Sequence, residues 1–326
     1  MHILVTGSTG FIGGRLCQAL AGAGHTVRAF HRSTSNLRLL EGLEVEHAIG
    51  DLTQPETLRA AMENIEVVFH AAALLDDTHA GQLYTITVEG TRAVLEAARQ
   101  AGVRRVVHTS SVAALGMAET PPGGKVNAPT PLNEMHTWNY RPDRWPYGYA
   151  KYLAELEVQR AVAHGLDAVI VNPALVIGAG DVYRQATSPV VQVARGRLSV
   201  ATTGGLNVVH IDDVTSGHIA AMERGKTGER YLLTGENLTL LEFLRKIAGV
   251  AGVRPPGLVF PAWLVRGLSI PASWLQSILN LPFSISEMRD AGRYFYFENR
   301  KSQAALKLPP PRSAEDAIRD AYDWFK

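Results

Sequence analysis

A tyrosine and a lysine near the middle of the chain have the types and spacing that proton transfer requires. Tyr147 and Lys151 are four residues apart in a predicted helix, so their side chains share one face. A free tyrosine has a pKa of about 10, and a neighbouring ammonium lowers it by favouring the phenolate. Tyr147 can then give a proton to a carbonyl oxygen or take one from an alcohol. Tyr149 is two residues from Lys151 and cannot share that face.

Two adjacent serines, Ser110 and Ser111, end a predicted strand that precedes this helix. Neighbouring residues on a strand point to opposite faces, so only one of the two hydroxyls can reach a substrate oxygen beside Tyr147. The strand pattern alone leaves both open. A serine, a tyrosine and a lysine together are typical of a site that polarises and protonates a carbonyl group.

A glycine turn near the N-terminus predicts a nucleotide site. Gly7, Gly10 and Gly13 follow a predicted strand at residues 2–6 and lead into a helix. Gly7 permits a tight turn, Gly10 lets a pyrophosphate approach the backbone, and Gly13 lets the helix pack closely on the strand. The positive end of the helix and its N–H groups then face the phosphates. This context indicates a dinucleotide-binding site.

The elements that position these groups alternate between strand and helix. Strands are predicted at about residues 2–6, 26–31, 44–49, 66–69, 104–109 and 167–172, and helices at about 11–23, 54–63, 81–101 and 147–164. Such βα repeats predict an α/β fold with a doubly wound parallel sheet. Asp51 or Thr53 is predicted to cap the helix that opens at Pro55. Ligands of such sheets bind at the carboxyl ends of the strands, where all these motifs lie.

The order of the motifs resembles the extended short-chain dehydrogenase/reductase superfamily (the NAD-dependent epimerase/dehydratase family). The chain is most similar to its dihydroflavonol-reductase-like and hopanoid-associated sugar-epimerase-like members. Thr6 before the first glycine, the Tyr-x-x-x-Lys pattern and the Thr109-Ser110-Ser111 strand end carry the resemblance. It implies that Ser111 rather than Ser110 is catalytic, because a run of small residues follows it. Thr87 departs from the family, which has asparagine there.

The residues and the resemblance together predict the remaining site. Catalytic residues are expected at Ser111, Tyr147 and Lys151, and cofactor contacts at Gly7, Gly10, Phe11, Ile12, Gly13, Arg32, Asp51, Leu52, Ala71, Ala72, Ala73, Thr109, Tyr147, Lys151, Pro173 and Val176. Residues 1–173 and 207–235 are expected to form a Rossmann domain, and residues 174–206 and 236–326 a smaller, mostly helical substrate domain. The resemblance places the strands around Val208 and Tyr231 on the main sheet.

The end of the second predicted strand predicts which nicotinamide cofactor binds. Arg32 lies 19 positions after Gly13, close to the residue that discriminates at the ribose. An acid there favours NAD, whereas a guanidinium can bind the 2′-phosphate of NADP. We therefore expect NADP, with NAD as the alternative. Asp51 comes too late to be the ribose acid. By resemblance, Asp51 contacts the adenine amino group and Leu52 packs on the ring.

Composition excludes several classes of function. The net charge is +1 without a basic block, so no nucleic-acid partner is expected. The histidines His70, His108 and His210 lie near strand ends without metal-ligand spacing, so hydrogen-bonded structural histidines and no metal are expected. The uncharged stretch at 267–286 contains Pro271 and several polar residues, so no membrane span is expected.

Further expectations concern the state of the protein in the cell. The single cysteine, Cys17, excludes an internal disulfide and is predicted to be buried. No signal peptide precedes the first strand, so a cytoplasmic location is expected. By resemblance, a homodimer forms through the helices at 81–101 and 147–164. A Pro- and Gly-rich loop is predicted at 118–131, near the active site.

Three functions compete for this arrangement. The first is an NADP-dependent oxidoreductase that acts on a carbonyl or secondary alcohol of a fairly apolar small molecule. The second is a nucleotide-sugar epimerase or dehydratase with tightly held cofactor, and the third is a binding scaffold. A protein that only binds a cofactor has no need of Ser111, Tyr147 and Lys151 together, so their presence argues against the scaffold. Sugar-nucleotide enzymes commonly carry an arginine just before the strand that begins here near Val208, but this chain has Asn207 and no arginine among its neighbours. Its C-terminal part is also apolar. The oxidoreductase is therefore favoured.

Overall fold

A computed structural model describes residues 1–74, 80–118, 130–183, 188–198, 200–275 and 291–326. Most of the predicted loop at 118–131 and the later part of the uncharged stretch at 267–286 lie outside these residues. Within them, no helix combines the length and apolarity that crossing a membrane requires.

A seven-stranded parallel sheet lies at the centre of the molecule. Its strands are β1 (His2–Thr6), β2 (Thr26–His31), β3 (Glu46–Ile49), β4 (Val67–His70), β5 (Arg105–Thr109), β6 (Ala168–Pro173) and β10 (Arg230–Leu233). They follow the order β10-β6-β5-β4-β1-β2-β3, and all neighbours are parallel. The predicted doubly wound fold is confirmed. The strand order reverses at β1, which places the crevice typical of ligand sites beside the carboxyl ends of β1 and β4.

Helices cover both faces of this sheet. Its helices are α1 (Phe11–Gly22), α2 (Pro55–Ala61), α3 (Ala80–Tyr84), α4 (Gly90–Gln100), α5 (Pro146–Ala163) and α7 (Ile211–Arg224). α1 and α7 pack on the face that Ile3 and Val5 present, and α2, α4 and α5 pack on the face of Leu4 and Val68. Alternation of buried residues along each strand separates the two cores. Cys17 is buried in the first core, so its predicted burial is confirmed, and this burial raises its pKa to about 12.

The predicted helix at 81–101 is not continuous. A π-helical turn, Thr85–Glu89, separates α3 from α4, and a 3₁₀ turn, Val112–Leu115, follows β5. π-turns inside helices are frequent at functional sites. Val88 of this turn packs against Ala150 and Tyr147 of α5, so the irregular turn lies against the predicted catalytic helix.

The second half of the chain builds a separate core. Its elements are β7 (Leu175–Ile177), α6 (Pro189–Ala194), β8 (Val200–Thr202), β9 (Gly205–His210), β11 (Glu236–Thr239), α8 (Leu240–Ala251), β12 (Leu258–Phe260), α9 (Ala262–Leu275), α10 (Arg300–Leu306) and α11 (Ala314–Phe325). β7, β9 and β11 form a three-stranded sheet, and β8 pairs with β12. Phe243 and Ile247 of α8 and Ile318 of α11 are buried against these strands.

Two local predictions are wrong. β9 lies in the three-stranded sheet and not on the main sheet, because β10 occupies the edge beside β6. α2 begins after Gln54 without a side-chain cap from the described residues, because the Asp51 carboxylate accepts instead from the N–H and hydroxyl of Thr53.

Candidate active site

The glycine turn between β1 and α1 has the shape that a pyrophosphate needs. Gly7 has φ +67°, in the left-handed region that favours glycine. A Cβ on Gly13 would lie 2.1 Å from the Gly7 carbonyl oxygen, so helix and turn are in direct backbone contact. A Cβ on Gly10 would meet that oxygen at 3.2 Å and nothing else among the described residues within 4 Å. The approach to the turn is therefore open at Gly10.

The N-terminus of α1 fits an anion. Gly10 is its N-cap, and no side chain of the described part of the protein caps it. The first turn of a helix leaves its N–H groups without intrahelical partners and carries a partial positive charge. Phe11 and Ile12, both half-buried, start this turn. These residues fit a nucleotide pyrophosphate on the backbone of the turn.

The end of β4 runs against the same turn. A Cβ on Gly7 would lie 2.7 Å from the backbone N and Cα of Ala72, and Ala71 N–H donates to the Thr6 carbonyl. Ala71, Ala72 and Ala73 are half-buried. The small residues therefore let the β4 end approach the glycine turn, at the crevice between β1 and β4.

The predicted adenosine end lies at β2 and the residues after β3. Arg32 directly follows β2 and is exposed, and its charge contributes to lowering the pKa of Asp51, after the hydrogen bonds from Thr53. Leu52 is 8% exposed and packs in the core beside Gly90. The structure thus brings Arg32 and Asp51 together, with Leu52 directed mainly inward.

α5 carries Tyr147 and Lys151 as predicted. Lys151 is buried, and its ammonium donates to the Thr109 carbonyl at 2.9 Å. Burial lowers the pKa of Lys151 to about 8, and the Glu155 carboxylate opposes part of this effect. Tyr147 is half-buried one turn earlier on the same face, against Leu83 and Val88. The Lys151 ammonium therefore lies at the end of β5, and Tyr147 lies one turn earlier on the same face of α5.

Tyr149 points elsewhere. Its ring packs 5.6 Å from Trp138 and 6.3 Å from Tyr152, measured between ring centroids. Trp138 and Tyr152 stack on each other. Tyr149 thus belongs to an aromatic cluster on another face of α5.

The two serines at the end of β5 have different surroundings. Ser110 is buried, and its hydroxyl donates to Glu155 Oε1 at 2.6 Å. Ser111 is half-buried, and its hydroxyl accepts from Ala113 N–H at the start of the 3₁₀ turn. Asn172 donates both to Glu155 Oε1 and to the Ser111 carbonyl. The Ser110 hydroxyl is therefore used in a hydrogen bond of the interior, whereas the Ser111 side chain is more accessible to solvent.

Glu155 and Asn172 were not predicted from the sequence. Glu155 is four residues after Lys151 on the same helical face, and this spacing was the one available signal. Asn172 precedes Pro173 at the end of β6 and had no local signal.

Thr109 and the histidines form a buried polar layer beneath the site. The Thr109 hydroxyl bonds His218 Nε2, and His218 Nδ1–H donates to the Val214 carbonyl, so Thr109 is the donor to the ring. Burial lowers the pKa of His218 to about 4. The Thr109 hydroxyl is therefore bonded within the interior, to His218, and the Thr109 carbonyl accepts from Lys151.

His70 links β1 to α4. Thr91 donates to the Thr87 carbonyl, so its oxygen accepts from His70 Nε2–H, and His70 Nδ1 accepts from the Thr6 hydroxyl. Burial, with the Lys151 charge, lowers the pKa of His70 to about 3. The Thr87 hydroxyl is buried without a hydrogen bond to any described residue.

One histidine prediction is wrong. His108 is buried beside the His70 ring, and neither of its ring nitrogens bonds a described residue. Burial, the neighbouring His70 and the Lys151 charge lower its pKa well below the usual range, so it is neutral. His210 is hydrogen-bonded, to Asp320. The described ranges contain no group of three or more His, Cys, Asp or Glu side chains placed to hold a metal ion.

The carboxyl end of β6 completes the site. Pro173 ends β6 in the interior, next to Asn172. Val176 lies in β7 and packs on the core that α1 and α7 share. Gly7, the β4 end, Ser111 and Pro173 thus lie along one edge of the main sheet, as parallel strands require.

The family follows from comparison with known proteins. Residues 3–233 match the model of the NAD dependent epimerase/dehydratase family. The chain belongs to this family. Its site residues, from the glycine turn to Lys151, all lie inside the matched region.

Similar proteins include reductases. Sterol demethylase protein B of Methylococcus capsulatus is 34% identical over 100% of this chain and 98% of its own length. A protein of Synechocystis named "Putative dihydroflavonol 4-reductase" is 31% identical over 99% of this chain and 94% of its own length. The 4-hydroxy-2-methyl-3-oxo-4-farnesyl-3,4-dihydroquinoline-1-oxide ketoreductase of Stigmatella aurantiaca is 33% identical over 78% of this chain and 74% of its own length.

Solved structures share the fold. That of gox2253 superimposes with a TM-score of 0.84 at 33% identity and covers 99% of this chain and 97% of the other. A nucleoside-diphosphate-sugar epimerase from Pseudomonas aeruginosa has a TM-score of 0.81 at 24% identity, over 100% of this chain and 97% of its own, which shows the fold alone. The protein is an NAD(P)-dependent enzyme of the extended short-chain dehydrogenase/reductase type.

Proposed function

We propose that the enzyme is an NADP-dependent oxidoreductase that transfers a hydride between the nicotinamide and a carbonyl or secondary alcohol of a fairly apolar small molecule. The observation that carries this proposal is the buried Lys151 ammonium, which lies one turn from Tyr147 and donates to the carbonyl of Thr109, two residues before Ser111. Ser111, Tyr147 and Lys151 are the proposed catalytic residues.

The chemistry of each residue follows from its surroundings. When bound, the nicotinamide cofactor supplies or accepts the hydride. Tyr147 donates a proton to the carbonyl oxygen in reduction and takes one from the alcohol in oxidation. The Lys151 ammonium stabilises the phenolate and lowers the pKa of Tyr147. Ser111 donates a hydrogen bond to the substrate oxygen and polarises it.

The proposed cofactor contacts follow the same edge of the sheet. The glycine turn and the start of α1 bind the pyrophosphate, and the backbone of Ala71–Ala73 borders the cofactor. Asp51 receives the adenine amino group, with Leu52 at the edge of the ring. Lys151 also binds the nicotinamide ribose, while Thr109, Pro173 and Val176 border the nicotinamide end.

NADP preference rests on Arg32. Arg32 is exposed at the end of β2, where the adenosine ribose lies in this fold, and its guanidinium can bind a 2′-phosphate in a bidentate manner. The nearby Asp51 carboxylate is held by Thr53. A basic and not an acidic side chain therefore meets the ribose.

Arg32→Ala is expected to weaken NADP(H) binding about ten- to a hundredfold, the effect of losing about 1.5–3 kcal/mol of charge-assisted hydrogen bonding. NAD(H) binding should hardly change, because NAD has no 2′-phosphate. Fluorescence titration of both cofactors measures this. Arg38→Ala, which removes an arginine that stacks on Trp324, is the matched control. Equal affinity of the unmodified enzyme for NADP(H) and NAD(H) would exclude the assignment.

The substrate proposal rests on the second half of the chain. Asn207 is buried and bonds Gly235 and Asn237, so this position presents no cation to a sugar-nucleotide pyrophosphate. Trp263 is 72% exposed and Leu268 is 52% exposed. The sterol and farnesyl-quinoline names of the similar proteins agree with an apolar substrate. We assign substrate binding to residues 174–206 and 236–326, and a homodimer interface to the segments at 81–101 and 147–164.

Net consumption of NADPH is the expected outcome with a carbonyl substrate. A panel of cyclic ketones, steroid ketones and β-keto esters is incubated with enzyme and NADPH, and absorbance at the nicotinamide band is compared with product formed. The two quantities should be equal. UDP- and dTDP-sugars should bind weakly, because a buried pyrophosphate needs a cation to match its charge. Isomerisation of such a sugar without net cofactor change would establish the epimerase instead.

A further inference from the structure

A buried carboxylate lies directly behind the proposed catalytic residues. Tyr147, Lys151 and Glu155 follow at successive four-residue steps and share one face of α5. Glu155 is 2% exposed. A carboxylate at such depth costs free energy unless it is paired and hydrogen-bonded, so its partners indicate what it does.

Glu155 connects α5 to the strand end that carries Ser111. Its Oε1 accepts from the Ser110 hydroxyl and from Asn172 Nδ2, both at 2.6 Å. Asn172 Nδ2 also donates to the Ser111 carbonyl at 2.9 Å. Lys151 donates to the Thr109 carbonyl. Three consecutive residues at the end of β5 are thus held by polar groups: Thr109 by Lys151, Ser110 by Glu155, and Ser111 by Asn172, which itself bonds Glu155.

The charges around Glu155 are balanced on both sides. Arg230 Nη1 lies 3.5 Å from Oε2, and that arginine also donates to the His136 carbonyl. One turn away on α5, the Glu155 charge raises the pKa of Lys151 against the larger effect of burial, which lowers it.

The other titratable groups near Lys151 are the Tyr147 phenol on the same helix, His70 of β4 and His108 of β5. Burial keeps both histidines neutral. Within the described part of the chain, Glu155 is thus the anion whose charge offsets the burial of Lys151.

We propose that Glu155 is a positioning residue: it fixes the Ser111 strand end against Tyr147 and offsets the charge of the buried Lys151 one turn away on α5. This proposal rests on the proposed oxidoreductase function for its kinetic test. It also makes a claim about Lys151 that does not depend on the reaction. The two can therefore fail separately.

Glu155→Gln tests the proposal with little change of shape. The amide keeps a carbonyl acceptor for Ser110 and Asn172 but loses the charge. The hydrogen bonds from Ser110 and Asn172 weaken when a neutral amide replaces the charged acceptor, so we expect kcat to fall about tenfold or more. The dissociation constant of NADPH should change by less than about twofold. Activity that needs Lys151 protonated is lost as pH rises through the pKa of Lys151. Loss of the Glu155 charge lowers this pKa, so the alkaline limb of kcat should move to lower pH by about half a unit or more.

A readout without substrate separates this proposal from the reaction. The ¹⁵Nζ signal of Lys151, identified by its disappearance in Lys151→Arg, is titrated by NMR in the cofactor-free protein. Its midpoint should fall by about half a unit or more in Glu155→Gln. Failure of the oxidoreductase assay with this NMR shift present would overturn the reaction assignment and leave the proposed effect on Lys151 standing.

Two further variants keep the test sharp. Glu229→Gln, a control that loses a surface carboxylate paired with Lys301 beside Arg230, should change neither kcat nor the Lys151 midpoint. Ser110→Ala removes one donor to Glu155 but no charge. It should lower kcat about threefold or more without moving the alkaline limb, and it also serves if Glu155→Gln fails to fold. Glu155→Gln that folds with kcat and Lys151 midpoint unchanged would refute the proposal, as would Ser110→Ala with full activity.

Discussion

Tyr147→Phe is expected to lower kcat by about a hundred- to ten-thousandfold, the range that a positioned general acid or base contributes. The substitution removes one hydroxyl and keeps the ring that packs against Leu83 and Val88. Folding and NADPH affinity should therefore persist. The hydrogen bond of Lys151 to the Thr109 carbonyl does not involve Tyr147, so we expect it to persist in the variant, without a phenol for Lys151 to activate.

Single-turnover NADPH oxidation measures the loss of the chemical step, and the melting temperature measures whether the fold persists. Tyr149→Phe is the matched control, because Tyr149 lies on the same helix within the Trp138 and Tyr152 cluster. It should retain most activity. The opposite pair of phenotypes would show that the proton passes through Tyr149 and that the helix-face argument is wrong.

The parts of the site that the sequence could predict are those with local signals. The glycine turn, the order of the main strands and the Tyr147–Lys151 pair depend on residues a few positions apart, where spacing directly gives geometry. The predicted strands coincide with β1 to β6 within two residues at each end. These motifs were sufficient to identify the family.

The remaining features depend on contacts between distant parts of the chain. Ser110 and Glu155 are 45 residues apart, and Asn172 joins them from a third element. No short pattern marks the whole network, because the pairing of β5 with β6 brings Ser110 and Asn172 together, and Glu155 joins them from α5. The position of β9 likewise depends on β10 taking the edge beside β6, which its own sequence does not show. The unbonded His108 also results from packing rather than from a pattern.

Gly13→Ala is expected to destabilise the protein by about 3 kcal/mol, the upper range for overpacking, and to abolish tight cofactor binding. The new Cβ would lie 2.1 Å from the Gly7 carbonyl oxygen and 2.7 Å from its carbonyl carbon. Both are backbone atoms, so no side-chain rotation relieves the contact. α1 must shift away from the turn, and the helix N-terminus then no longer faces the pyrophosphate position. Urea unfolding and NADPH titration measure the two effects.

Alanine substitutions at two other glycines distinguish the loss of stability from the loss of cofactor binding. Gly22 ends α1, and no atom of the residues that the structure describes lies within 4 Å of its Cβ position. Gly22→Ala should therefore stabilise the protein by about 0.5–1 kcal/mol through helix propensity. Among the described residues, a Cβ on Gly10 meets only the Gly7 oxygen, at 3.2 Å. Gly10→Ala should therefore fold but bind NADPH at least about tenfold more weakly, because its methyl group occupies the pyrophosphate approach. Full NADPH affinity in a folded Gly10→Ala protein would show that the phosphates do not lie on this turn.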